Sequence, residues 1–136
     1  GADVVRVRKL FRDDLDDYKA KAEAVREAEI FEGCFAISTC PSEGIESPTV
    51  VGAQAANELL DIAGMKASIV MTFYNNTIYL SARSIDEVNV QVMMEKLGGG
   101  GHRTIAGAQL KDMSLEEARN RVKEVIRDML EKGDIS

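Results

Sequence analysis

A-S-I-V-M-T-F-Y-N-N-T-I-Y-L-S-A-R-S, Ala67 to Ser84, holds two runs rich in β-branched and aromatic residues, broken once by Asn75-Asn76. Asparagine tolerates the left-handed conformation that tight hairpin turns require. The stretch therefore predicts strands over Ala67–Tyr74 and Thr77–Ala82, joined as a β-hairpin. Working outward, strands and helices alternate. On the N-terminal side, Ile30–Thr39 predicts one buried strand. Ser47-Pro48 then opens a helix whose Val50, Val51, Ala55, Leu59 and Leu60 share a face, with Gly64 ending it. On the C-terminal side, Val88–Leu97 predicts a short apolar helix and Ala106–Leu110 a short strand. Ser114 and Glu117 have capping-box spacing, and the helix they start is predicted to run to about Lys132, before Gly133. Lys9–Glu29, ahead of all this, is charged, alanine-rich and helical in character. Alternating strands and helices with one hairpin give an α/β fold, a single domain with a mixed β-sheet and flanking helices.

Composition narrows the function classes. The 136 residues suit one domain. A net charge of −6 argues against a broad footprint on duplex nucleic acid, while leaving room for a small basic pocket around one phosphate. No apolar run is long enough to span a membrane, and no signal peptide is visible. With one histidine and two cysteines, Cys34 and Cys40, a zinc site has little material. The cysteines read as free thiols of a reducing compartment. Arg12–Asp17 reads as a solvated first helical turn rather than a metal cluster.

The second informative stretch is L-G-G-G-G-H-R-T-I-A-G-A, Leu97 to Ala108. It fits neither a dinucleotide fingerprint, since Arg103 stands where a third glycine belongs, nor a P-loop, which ends Gly-Lys-Ser/Thr. Two readings stand. Successive glycine N–H groups can form a concave anion nest, with His102 and Arg103 as donors at its rim. Alternatively, the run is a hinge between a helix and a strand, although linkers usually mix glycine with polar residues. On the hairpin, Ser81 and Arg83 share one strand face, and the Arg83 fork can reach a phosphate bidentately. Its plainer reading is a surface arginine paired with Asp86 or Glu87.

Taken together, Ser81-x-Arg83-Ser84, the Gly-Gly-Gly-Gly-His run and the following Ala106-Gly107 resemble the C-terminal substrate-binding domain of DHH-family phosphoesterases, the DHH-associated domain type 1. Tyr79–Leu110, with Val88-Asn89-Val90 and Met94-Glu95-Lys96-Leu97 before the glycines, looks most like cyclic-di-AMP phosphodiesterases of the GdpP type. The resemblance implies that Gly99, Gly100, Gly101 and His102 cradle a substrate phosphate. It also implies that Arg83 contacts substrate with Ser81 and Ser84 in support. It makes residues 1–29 a connector helix from an N-terminal catalytic domain, and residues 30–136 the substrate-binding domain. Catalysis in that family uses two manganese ions held by the catalytic domain. Its Asp-His-His signature is not in this chain, so no catalytic or metal-binding residue is expected here.

The function implied is the substrate-binding part of a manganese-dependent phosphodiesterase acting on cyclic-di-AMP or short oligonucleotides. Its implied partners are the nucleotide phosphate, the DHH catalytic domain of the same polypeptide, and a second copy in a homodimer. Exopolyphosphatase, nanoRNase and single-strand exonuclease relatives share the loop. A non-enzymatic nucleotide- or RNA-binding module is the alternative, since similar domains accompany alanyl-tRNA synthetase. The domain is expected to be cytoplasmic, with membrane helices in the parent of the GdpP type.

Overall fold

A computed structural model of the chain describes residues 15–85 and 87–134. Connector residues 1–14, including the first half of the Arg12–Asp17 run, lie outside the described residues, as does Asp86. The elements in chain order are α1 (Leu15–Arg26), β1 (Glu29–Phe31), β2 (Phe35–Thr39), α2 (Pro48–Leu60), β3 (Ala67–Tyr74), β4 (Thr77–Ser84), α3 (Val90–Glu95), β5 (Gly100–Gly101), β6 (Ile105–Lys111) and α4 (Leu115–Glu131). The six strands form one sheet in the order β1-β2-β3-β4-β6-β5. Only β2 and β3 are parallel, joined through α2; every other neighbouring pair is antiparallel. The mixed α/β sheet expected from the sequence is thus the fold observed.

The sheet is covered differently on its two faces. One face meets α3 and α4 through large apolar side chains. Ile37, Ile69, Met71, Ile78 and Leu80 pack there with Met93, Met94, Val122, Ile126 and Met129. Helix α4 supplies Ala118, Val122, Ile126 and Met129 at three- and four-residue intervals, one continuous apolar stripe. Its start is the predicted capping box: the Glu117 N–H donates to Ser114 Oγ (3.1 Å) and the Ser114 N–H to Glu117 Oε1 (3.4 Å). The opposite face meets α1 and α2 through mostly small residues, Ala20, Ala24, Ala36, Ala55 and Ala56, with Val51, Leu59 and Val70 among them. Helix and sheet approach so closely here that strand serines bond helix carbonyls: Ser38 Oγ to Ala24 O (2.5 Å) and Ser68 Oγ to Ala56 O (2.6 Å). A Cβ at Gly52 of α2 would collide with Thr72 Oγ1 of β3.

Three local expectations change. Ile30–Thr39 is two antiparallel strands, because Glu32 and Gly33 both take positive φ (52° and 80°) and reverse the chain inside the apolar run. Ser47 precedes α2 without a side-chain capping bond, and Pro48 alone marks the start. The third change concerns the glycines. The run is one arm of a hairpin: Gly100 and Gly101 form edge strand β5 against Gly107 and Ala106. Gly98 (φ 85°) turns the chain out of the α3 end. A Cβ at Gly99 would overlap Gly107 O and sit 2.7 Å from Ala108 Cα; one at Gly101 would sit 2.6 Å from Ala106 Cα. These glycines let backbone lie against backbone.

Edge strand β1 is fixed to α4 by charge. Glu29 accepts from Lys123 Nζ (2.7 Å) and Arg119 Nη1 (3.1 Å), and the Phe31 ring lies under Lys123 and Arg127. The Lys123 hydrogen bond is the main reason that the Glu29 carboxyl titrates below its usual range, with burial opposing it and Arg119 assisting. A depressed carboxylate pKa contributes stability above its unfolded value and loses it as pH falls through the folded value.

Glu29→Gln should therefore destabilise the fold at pH 7 by about 1 kcal/mol or less, read as a lower melting temperature, since the carboxylate is partly exposed to solvent. The difference from wild type should shrink as pH falls through the depressed pKa of the folded state. A deficit persisting undiminished in acid would contradict the charge account. Gly99→Ala and Gly101→Ala should each destabilise by about 1–3 kcal/mol in denaturant unfolding. Gly100→Ala, with no atom within 4 Å of the added Cβ, should stay within about 0.5 kcal/mol of wild type. Equal losses at all three positions would refute close strand approach as the reason for the glycines.

Candidate functional site

Strand alternation builds the candidate site. Along β4, Ile78, Leu80 and Ala82 point into the large apolar core, and along β6 Ala106, Ala108 and Leu110 do the same. Their neighbours Tyr79, Ser81 and Arg83, with Ile105, Gly107, Gln109 and Lys111, therefore face the α2 side. Helix α2 packs on β3 and β4. Strands β6 and β5 extend beyond it, so a polar strip of sheet remains open beside the helix.

A cleft of about 540 Å³ occupies this strip. Gly98, Gly99 and Gly107 leave its floor without side chains. Thr49 of α2, Tyr79 and Ser81 of β4, and Gln109 and Lys111 of β6 line it. Of the residues singled out in the sequence, Ser81 and Gly99 line the cleft directly.

Arg83 lies two residues past Ser81 on the same face, outside the cleft walls. Its Nε donates to Asn57 Oδ1 of α2 (3.0 Å) and its Nη1 to the Ala82 carbonyl (3.0 Å). Both acceptors are neutral, and among the described residues no carboxylate pairs with it. Glu87, one of the two partners considered from sequence, bonds Lys66 instead (3.1 Å); Asp86, the other, lies outside the described residues. Partial burial pushes the Arg83 pKa below its ordinary value, yet a guanidinium keeps its proton at neutral pH. The result is a partly desolvated cation, held in place by neutral oxygens, with donors left over for an anion.

Ser84 sits on the buried side of β4. Its hydroxyl donates to Val88 O (2.6 Å) and Arg103 O (3.3 Å), tying the β4 end to α3 and to the tip of the β5–β6 hairpin. His102 stands exposed at that tip, its N–H donating to Ile105 O (2.7 Å). Ile105 is also the β6 partner of Arg83. Arg83 and His102 are thus two strand spacings apart, roughly 10 Å at the backbone, with the exposed Ile105 between them. Two of the glycine donors considered from sequence for an anion nest are already taken. Gly98 N–H donates to Glu95 O (3.1 Å) and Gly99 N–H to Met94 O (2.8 Å), closing the α3 end.

Sequence reasoning did not single out Asn57, Thr49, Tyr79, Gln109 or Lys111. The last three follow from extending the period-two pattern of Ser81 and Arg83 along β4 and across to β6. Asn57 and Thr49 carry no local signal, because only the packing of α2 on the sheet brings them there.

Among the described residues, no group of three or more His, Cys, Asp and Glu side chains converges on a point where a metal could bind. Cys34 and Cys40 are free thiols, and burial pushes Cys40 up to about 11. No helix among the described residues is long and apolar enough to cross a membrane.

Comparison with known proteins places this geometry. The model of the DHHA1 domain matches residues 33–131. The chain is 41% identical over 134 residues to the cyclic-di-AMP phosphodiesterase GdpP of Geobacillus thermodenitrificans, covering 98% of this chain and 20% of that protein. It is 41% identical over 123 residues to the cyclic-di-AMP phosphodiesterase PdeA of Listeria monocytogenes, covering 90% of this chain and 19% of the relative. The chain thus spans about a fifth of these relatives. Among solved structures, an exopolyphosphatase-related protein from Bacteroides fragilis shares the fold, with a TM-score of 0.76 at 16% identity over 90% of this chain and 37% of that one. The strip of sheet, its glycine floor and the Arg83 beside it belong to a member of the DHHA1 domain family.

Proposed function

We propose that this chain is the substrate-binding, C-terminal portion of a manganese-dependent phosphodiesterase that cleaves cyclic-di-AMP or short oligonucleotides. The observation that carries the reading is Arg83: a partly buried cation, bonded among the described residues to the neutral oxygens of Asn57 and Ala82, beside a cleft floored by glycine. A phosphate supplies the counter-charge that no carboxylate among the described residues gives this guanidinium, and the absence of side chains at Gly99 and Gly107 lets a ligand approach the backbone closely. The names of the two relatives supply the substrate class. In this reading Arg83 and His102 hold the phosphate from either side of Ile105, with Ser81 and Gly99–Gly101 lining its approach, and Ser84 sets the backbone around them. The manganese ions belong to a DHH domain upstream, reached through residues 1–29, and no residue of this chain is assigned to them. The domain works in the cytoplasm, with the parent protein anchored at the membrane.

The chain's part is to position the substrate and neutralise its charge, contributions that appear in transition-state binding. In the parent enzyme, Arg83→Ala and His102→Ala should each lower kcat/KM by about ten- to a hundred-fold, the worth of one charge-assisted hydrogen bond. Circular dichroism should show both variants folded. Unchanged kinetics in both would remove the site assignment.

The 136-residue chain alone, incubated with manganese and cyclic-di-AMP and followed by chromatography, should release no product. Turnover that survives removal of contaminating nucleases would show that the chain carries an active site of its own.

A further inference from the structure

We propose that Tyr79 and Gln109 form a nucleobase subsite, so that the cleft takes a nucleotide whose base lies on Tyr79 while its phosphate meets Arg83. The inference rests on the phosphate reading of Arg83 and adds to it the part of the ligand that the rest of the cleft receives.

Tyr79 and Gln109 are direct partners across β4 and β6, and Ser81 and Gly107 are the next partners on the same face. Tyr79, Ser81 and Gln109 all line the cleft. From Tyr79 to Arg83 is four residues of strand, roughly 13 Å, a span that a nucleoside monophosphate bridges. The middle of that span is the part with the least side chain: Ser81, Gly107 and, from the neighbouring strand connection, Gly99. A sugar fits where side chains are missing.

The chemistry changes along the strip in the order a nucleotide requires. The Arg83 end is cationic. The Tyr79–Gln109 end offers an aromatic ring and a primary amide, groups that suit a flat, hydrogen-bonding base, with Lys111 one step further along the same face of β6. Aromatic rings accept nucleobases by stacking, and an amide presents both donor and acceptor to a base edge. The Tyr79 ring is held by a neighbour: Tyr74 lies 6.5 Å away, tilted at 43°. The Gln109 side chain is exposed and has no hydrogen-bond partner among the described residues. Burial does not account for it, since its strand neighbours Ala108 and Leu110 carry the core contacts.

The test compares AMP with ribose 5-phosphate, which share phosphate and sugar and differ by the base. Both are titrated into the isotope-labelled chain and followed by NMR chemical shifts. Stacking on one aromatic ring corresponds to roughly 5- to 150-fold in affinity, so wild type should prefer AMP by about ten-fold or more. Tyr79→Leu should erase that preference while leaving ribose 5-phosphate binding unchanged, and Tyr79→Phe should keep it. Gln109→Ala, at an exposed position that leaves folding intact, should reduce it. Arg83→Ala should weaken both ligands alike. Equal affinity of wild type for the two ligands, or a preference that survives Tyr79→Leu, would overturn the base subsite and leave the phosphate reading standing. Binding of both ligands unaffected by Arg83→Ala would overturn the phosphate reading itself. Failure of both ligands to bind at millimolar concentration would overturn both readings.

Discussion

The close approach of three backbones, β5 on β6 and β6 on β4, is the constraint on which the site depends. Gly99 and Gly101 lie where a Cβ would enter the backbone of β6, and a Cβ at Gly107 would come within 2.8 Å of Leu80 O on β4. Removing side chains from three positions brings the strands together and strips the surface above them in the same step. The glycines therefore explain both the packing and the bare floor of the cleft. Within the run of four glycines, each costly in chain entropy, close strand packing accounts for Gly99 and Gly101 and positive φ for Gly98, while a Cβ at Gly100 would meet open space.

The two faces of the sheet divide the labour. Large apolar side chains bind it to α3 and α4. On the other face, alanines, serines and Gly52 draw α2 down almost onto the strands. A helix seated that low becomes a wall beside the uncovered strands, and Asn57 on its flank can reach Arg83. Had this layer been built of leucines, the helix would ride higher and the arginine would lose its anchor. The small-residue interface is thus the link between core packing and the orientation of a surface guanidinium.

What could be read from the sequence were features determined within a few residues. Asn75-Asn76 turns the hairpin with positive φ at both positions, and the Ser114–Glu117 box starts α4 as predicted. The family resemblance, too, followed from a compact set of residues around Ser81, Arg83 and the glycine-histidine run. What could not be read was what distant segments decide. Glu32-Gly33 divides an apolar run into two strands because β2 is then free to pair in parallel with β3. The glycine run becomes a strand because β6 lies beside it. Asn57 meets Arg83 across 26 residues of chain, and its own helix gives no hint of the contact.

The two outermost strands carry a consequence for how the molecule behaves in a crowd. β1 has three residues and β5 two, and they are the outermost strands of the sheet among the described residues. Such short edges offer an incoming chain too few backbone groups to register against. Past their ends, Ser38–Thr39 of β2 and Ala108–Lys111 of β6 have no strand partner on that side among the described residues, and the longer of these stretches ends in a lysine, whose charge discourages an incoming strand.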